Sequence, residues 1–314
     1  MKNKSGPLLI YLCFNVLLFS ETQTSATVFY NYTRNLNDGN NAFNLKRGYL
    51  SFANDVSETV SYKITYDVGS NDAGSAYTAF LKVAMIKLKT KICDVSIGMQ
   101  GMNMYKTTEN TWGHRFIAKG SMGAYGFSPS ADVGLGFTRS FGLVTTSALV
   151  TNGGGYKKPE TDAHKKTSLH LVYGQPKLNN ENGFNLGGSF SVEPYDINEN
   201  KTETVNVMGL FGGYAGFGFR GGIELDTKKI DADIMGKILS LYGTYSISES
   251  LSILARYDQV DIDTSSSGDG IQAIILGLHY RLGQGMIVAP TLRTTTPENG
   301  ESVNTFILNF EFNF

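Results

Sequence analysis

Polar and apolar residues alternate one for one over nine positions at the end of the sequence. Phe306, Leu308, Phe310, Phe312 and Phe314 interleave with Ile307, Asn309, Glu311 and Asn313. Successive side chains of a strand point to opposite faces, so this segment reads as a ribbon with one almost wholly aromatic face. Water penalises such a face and lipid accepts it. The same period recurs upstream. Val60, Tyr62, Ile64, Tyr66 and Val68 oppose Ser61, Lys63, Thr65 and Asp67, and Ala131, Val133, Leu135 and Phe137 oppose Asp132, Gly134, Gly136 and Thr138. Phe217, Phe219, Ile223 and Leu225 stand against Arg220, Glu224 and Asp226, and Leu251, Ile253, Ala255 and Tyr257 against Ser252, Arg256 and Asp258. In 79–89 the phase is broken.

The alternating segments are roughly ten residues long, the length a tilted membrane strand requires. They predict about 16 strands, over 27–34, 42–53, 58–69, 77–89, 93–102, 129–139, 143–151, 166–175, 184–193, 203–213, 217–226, 236–246, 250–259, 270–281, 286–294 and 303–314. Connections alternate in length. Short turns fall around 54–55, 90–91, 140–142, 214–216, 246–249 and 283–285, with a longer one at 176–182. Longer connections fall at 35–41, 70–76, 103–128, 152–165, 194–202, 227–235, 260–269 and 295–302. A barrel with short turns at one rim and loops at the other has this asymmetry, and a soluble sandwich has no reason for it. The expected fold is therefore all-β, a transmembrane antiparallel β-barrel.

The longest connection, 103–128, holds Tyr105, Trp112, His114, Arg115, Phe116 and Lys119. Its length marks it as functional or disordered, and its aromatic residues weigh against simple disorder. The even strand count, the short and long turns and this long third loop together resemble the general bacterial porins, over the whole segment 27–314. The final aromatic strand likewise resembles the C-terminal strand of bacterial outer-membrane barrels. This resemblance implies that loop 103–128 folds into the lumen and narrows it. It also implies a homotrimer in outer-membrane lipid, recognition of Phe310, Phe312 and Phe314 as an assembly signal by the barrel assembly machinery, and passage of small hydrophilic solutes. A looser resemblance to phosphate-selective porins comes from Arg47-Gly48-Tyr49-Leu50-Ser51-Phe52 and the strand Tyr62–Val68. No motif carries phosphate selectivity over residue by residue.

Composition adds the address. Lys2 and Lys4 precede an apolar run from Pro7 to Phe19 and a small, polar stretch ending Thr24-Ser25-Ala26, the three parts of a secretory signal peptide. The expected leader is 1–26 and the expected mature barrel 27–314. Cys13 would leave with the leader and Cys93 alone would remain, so an internal disulfide framework and a Cys-rich zinc site are both excluded. With 27 basic and 28 acidic residues the chain has no bias toward nucleic acid. No stretch beyond the leader reaches 18 apolar residues, the minimum for a spanning helix.

A pore acts through the charges that face its lumen. Strand phase points Lys46, Lys63, Arg220, Arg256, Arg281 and Arg293 inward, together with Asp67, Glu193, Glu224, Asp258 and Glu311. These residues either set ion preference or simply pair across strands and keep the interior wet. Loop 103–128 is lopsided: Lys106, His114, Arg115 and Lys119 against Glu109. If it lines the constriction, its field mildly favours anions; alternatively Arg115 and Lys119 anchor the loop to the wall. Trp112 has the same two readings, stacking on a sugar or pinning the loop.

Catalytic and cofactor signals are weak. Gly153-Gly154-Gly155-Tyr156-Lys157-Lys158 lacks the spacing of a phosphate-binding loop. The histidines at 114, 164, 170 and 279 have no metal-ligand spacing, and no cofactor is implied. Three functions compete: a porin, a barrel enzyme of the protease or phospholipase type, and an adhesive or structural barrel. The strand count leaves an aqueous channel, whereas barrels of about eight strands are filled by their own side chains. The scattered histidines disfavour the enzyme and the modest loops disfavour the adhesin, so a passive channel with a mild preference for anions is expected.

Overall fold

The computed structural model describes residues 21–69, 77–198, 201–230 and 234–314. Among them the alternating segments form sixteen strands: β1 Gln23–Asn35, β2 Asn41–Asp55, β3 Val60–Gly69, β4 Thr78–Lys89, β5 Asp94–Gly101, β6 Ala131–Phe141, β7 Val144–Thr151 and β8 Lys166–Gly174. The second half comprises β9 Gly183–Asn198, β10 Lys201–Gly216, β11 Phe219–Ile230, β12 Ile234–Ser246, β13 Leu251–Asp261, β14 Ile271–Gly283, β15 Met286–Pro297 and β16 Val303–Asn313. Each strand pairs antiparallel with its sequence neighbours, and β1 pairs with β16 to close the sheet. Closure removes the unpaired edge that hydrocarbon would not tolerate. The register at the seam runs from Thr27↔Asn313 to Asn35↔Thr305. Of the expected leader 1–26, residues 1–20 lie outside the described residues, as does the expected loop 70–76, while 23–26 form the start of β1 and pair with Leu50 to Ala53 of β2.

Period two sorts the side chains. Leu135, Leu169, Leu210, Leu276 and Leu292 face outward and are 43–54% exposed. Ser168, Ser189, Ser240, Thr291 and Asn309, on the inner phase of neighbouring strands, are buried. An apolar outer face continued around a whole barrel is too extensive for water and matches lipid. Across the closing strands the outward residues are aromatic. Tyr30 lies 6.0 Å from both Phe43 and Phe310, Tyr32 lies 4.9 Å from Phe43, and Phe310 stacks on Phe312 at 6.2 Å. Phe314 is exposed, and its backbone exchanges hydrogen bonds with Ala26 (2.9 and 3.2 Å).

Three connections differ from expectation: the short turn read at 214–216 falls at 217–218, where Phe217 takes a left-handed φ of 53° and β10 runs on to Gly216. The segments 194–202 and 227–235, read as long loops, are largely strand, because β9, β10 and β11 run on to Asn198, from Lys201 and to Ile230. Glu193, Pro194, Tyr195 and Asp196 pair with Val205, Thr204, Glu203 and Thr202. Polar residues occupy both faces here, which ends the apolar alternation, while the backbone ladder continues.

Of the four register shifts between described strands, two disturb the alternation beside the lumen. The register shifts between Phe29 and Tyr30 opposite Lys46, and between Thr65 and Tyr66 opposite Lys82. An extra residue in one strand re-aims its side chain without breaking the sheet. Both bulged residues are lysines, and both serve the site.

Candidate functional site

Loop 102–130, here L3, connects β5 to β6 and crosses the lumen. It carries helix α1 (Lys106–Trp112) and the short α2 (Ser121–Ala124). Apolar residues along L3 hold it inside. Met104, Tyr105, Met122 and Phe127 pack on Val207, Ile238 and Val260; Trp112 packs on Tyr242, Leu254 and Ile275; Phe116 packs on Phe29 and Ala289. Trp112 is 1% exposed and its indole N–H donates to the Ala118 carbonyl (3.1 Å), so it pins the loop.

Polar contacts fix the register of L3 on the wall from β8 to β13. The Thr108 and Ser121 hydroxyls donate to the two oxygens of Glu224 (3.1 and 2.6 Å). Tyr125 donates to Asp258 (3.1 Å), and Arg256 bridges Asp258 (2.8 Å) to the Lys119 carbonyl (2.6 Å). Thr107 bonds His170 (2.9 Å), Asn185 donates to Thr111 (3.2 Å) and Tyr242 donates to the Thr108 carbonyl (3.2 Å). Burial, then the neighbouring Asp258, push the Tyr125 hydroxyl up to about 12, so it stays a donor. The close approach of α1 requires glycine: a Cβ on Gly213 would sit 2.8 Å from the Thr111 methyl, and one on Gly222 3.2 Å from it.

L3 thus covers one side of the interior and leaves the other side open, along β1, β2 and β15. There a cavity of about 480 Å³ is bounded by Lys46, Arg47 and Arg293 of the barrel and by Arg115, Phe116 and Lys119 of L3. Among the described residues, Lys46, Lys119 and Arg293 form no ion pair, and Arg293 Nε is buried with no hydrogen-bond partner. The acids nearby are engaged. Asp67 is fully buried between Arg47 (3.6 Å) and Lys82 (3.8 Å) and accepts from Tyr156 (2.7 Å). Glu109 holds Arg115 (2.9 Å) and Lys106 (3.3 Å). Burial, and then the cations Arg115, Arg47, Lys157 and Lys46, depress the Lys119 ammonium below its ordinary value, the sign of a positive local field.

Of the residues singled out from sequence, Lys46, Arg115, Lys119 and Arg293 converge on this cavity. Lys106 is exposed and Glu109 lies beneath Arg115. His114 is buried on the wall side of L3, bonded to Thr244 (2.8 Å) and Arg220 (3.2 Å), and burial with the nearby Arg220 holds it well below the usual histidine range. Glu224 and Arg256 face inward but are covered by the loop that they anchor. Lys63 sits near the short-turn rim, and Arg220 and Arg281 join His114 and His279 on the short-turn side of L3. Arg47 and Lys82 escaped the sequence reading because bulges shift the phase in both their strands; the broken phase of 79–89 was the available signal.

No family model and no curated protein matches this sequence. Solved structures match along nearly its whole length. The anion-selective porin from Comamonas acidovorans superposes with TM-score 0.73 at 12% identity, covering 94% of this chain and all of that one. The outer-membrane protein OmpT of Vibrio cholerae, with loop L8 deleted, gives TM-score 0.70 at 13% identity over 94% and 99% of the chains. Salmonella typhi OmpF, in complex with daunomycin, gives 0.69 at 10% over 93% and 97%. At these identities the likeness is one of fold: a closed sixteen-strand barrel of the porin type.

Proposed function

We propose that this barrel is an outer-membrane porin, a passive channel for small solutes that favours anions. The observation that carries the reading is the lumen divided by L3, with an open side where Lys46, Lys119 and Arg293 lack acidic partners. A ring of one charge biases which ion enters, and a low-dielectric wall strengthens the bias. The anion selectivity named for the Comamonas porin supports the same preference here. Export by the leader 1–26, insertion through a terminal signal comprising Phe310, Phe312 and Phe314, and assembly as a homotrimer belong to the same proposal. A trimer form of the Vibrio OmpT barrel and the aromatic outward seam of β1, β2 and β16 support the last.

The channel is taken as non-enzymatic. His164 and Asp196 pair at 2.8 Å in an exposed position, yet the Thr202 hydroxyl donates to the same carboxylate oxygen instead of facing the ring. No nucleophile is activated by that arrangement. The test of the porin is single-channel conductance of the refolded protein in a planar bilayer under a salt gradient. Steady openings with a reversal potential of anionic sign establish the channel; a folded barrel that never conducts rejects it.

A further inference from the structure

The geometry points to the solute class of this pore: organic monocarboxylates whose body is apolar, such as a six-carbon ring or a branched chain. The proposal deepens the porin reading and rests on it for the place of the cavity on a solute path. The cavity has two unlike walls. Lys46, Arg47, Arg293 and Lys119 supply a cationic arc, and Phe116, Ile117 and Ala118 of L3 supply an apolar strip beside it. A small inorganic anion can use only the first wall. A sugar acid would set hydroxyl groups against Ile117 and Ala118 and leave them without partners. A carboxylate with an apolar body matches both walls at once, with charge-assisted bonds at one end and dehydrated contact at the other. At about 480 Å³ the cavity admits such a molecule together with water.

The apolar strip is built before a ligand arrives. Ile117 and Ala118 donate their N–H groups to the His114 carbonyl (3.0 and 3.2 Å), and the Ala118 carbonyl accepts from the Trp112 indole (3.1 Å). Phe116 is locked against Phe29, 6.2 Å between ring centres. A preformed wall spares a ligand the loss of side-chain freedom that a soft one would impose.

Trp112, the one tryptophan of the chain, packs against Ile117 and Ala118 and reports on the strip from behind. The experiment titrates the refolded full chain in detergent with cyclohexanecarboxylate, acetate, gluconate and neutral cyclohexylmethanol, reading Trp112 emission. Cyclohexanecarboxylate is expected to half-saturate at a concentration about tenfold below that of acetate, with gluconate no better than acetate. Ile117→Ser should bring the ratio to within about threefold, and Lys119→Gln should weaken both carboxylates while leaving cyclohexylmethanol unchanged. Equal half-saturation by cyclohexanecarboxylate and acetate, or a ratio that Ile117→Ser does not move, overturns the assignment. Conductance of the same preparation in potassium chloride separates the two readings. A conducting channel without carboxylate discrimination removes this site alone, and discrimination without conduction removes the pore.

Discussion

Neutralising or reversing Lys119 and Arg293 tests the origin of ion preference. Around the open side of the lumen stand Lys46, Arg47, Lys82, Arg115, Lys119 and Arg293, against the carboxylates of Asp67 and Glu109. An ion in the cavity lies roughly 7 Å from each charge, which gives about 0.6 kcal/mol per charge in water, and about 0.4 after partial screening at 0.1 M salt. An anion gains what a cation loses, so each unpaired charge changes the anion-to-cation permeability ratio about fourfold. Glutamine at both positions should therefore lower the ratio about fifteenfold, and glutamate at both about 250-fold, close to parity. Under a tenfold chloride gradient the ideal reversal potential is about 59 mV. The parent channel should sit within a few millivolts of that, the glutamine pair near about 45 mV and the glutamate pair near zero. A glutamate pair that keeps more than half of the parent potential would refute the reasoning and move the selectivity filter elsewhere.

Three further outcomes follow from named contacts. Gly213→Leu drives a side chain into the space of Thr111 and Asn185 and pushes α1 toward the open lumen, so conductance should fall and docking of L3 should weaken by about 1–3 kcal/mol; unchanged openings would mean that the loop has slack there. His114 is neutral when docked because burial and Arg220 hold it below its ordinary value, so an undocked loop takes up a proton first as pH falls. The contribution of His114 to docking is full above about pH 6.5 and declines toward acid by about 1.4 kcal/mol per unit; protease nicking of L3 at pH 7.5 and 5 measures it, and His114→Gln should reduce the difference. Deleting Phe314 removes the exposed terminal aromatic ring, so the heat-modifiable band on a gel should weaken; a normal yield of folded barrel would count against the assembly signal.

The sixteen strands were legible because each carries its own period-two pattern, and a one-residue slip would turn every side chain to the wrong face. L3 was legible as long and aromatic, and its inward course came from resemblance, since no local pattern states which way a loop folds. Arg47 and Lys82 were hidden by bulges, which shift phase without altering composition. The sorting of the inner charges was hidden altogether. Glu224, Asp258 and Arg256 have the same strand phase as any lumen residue, and only the course of L3 decides that they are covered.

That sorting explains how a chain with a formal net charge of −1 can present a cationic constriction. L3 uses the carboxylates Glu224 and Asp258 as acceptors for Thr108, Ser121 and Tyr125, which takes them out of the solute path. The bases opposite are left facing water. Acids in the anchor should then matter for the position of the loop and little for the field in the cavity. Glu224→Gln keeps one acceptor and the shape but gives up a charge-assisted bond, so docking should weaken by about 1–3 kcal/mol and openings should become noisier. Combined with the Lys119 and Arg293 glutamate pair, whose potential near zero can move in either direction, it should leave the reversal potential within a few millivolts, because the charge removed lies behind the loop. A large move toward anions in this variant would show that the buried carboxylate acts on the permeating ion, and the division of labour between anchor and constriction would fail.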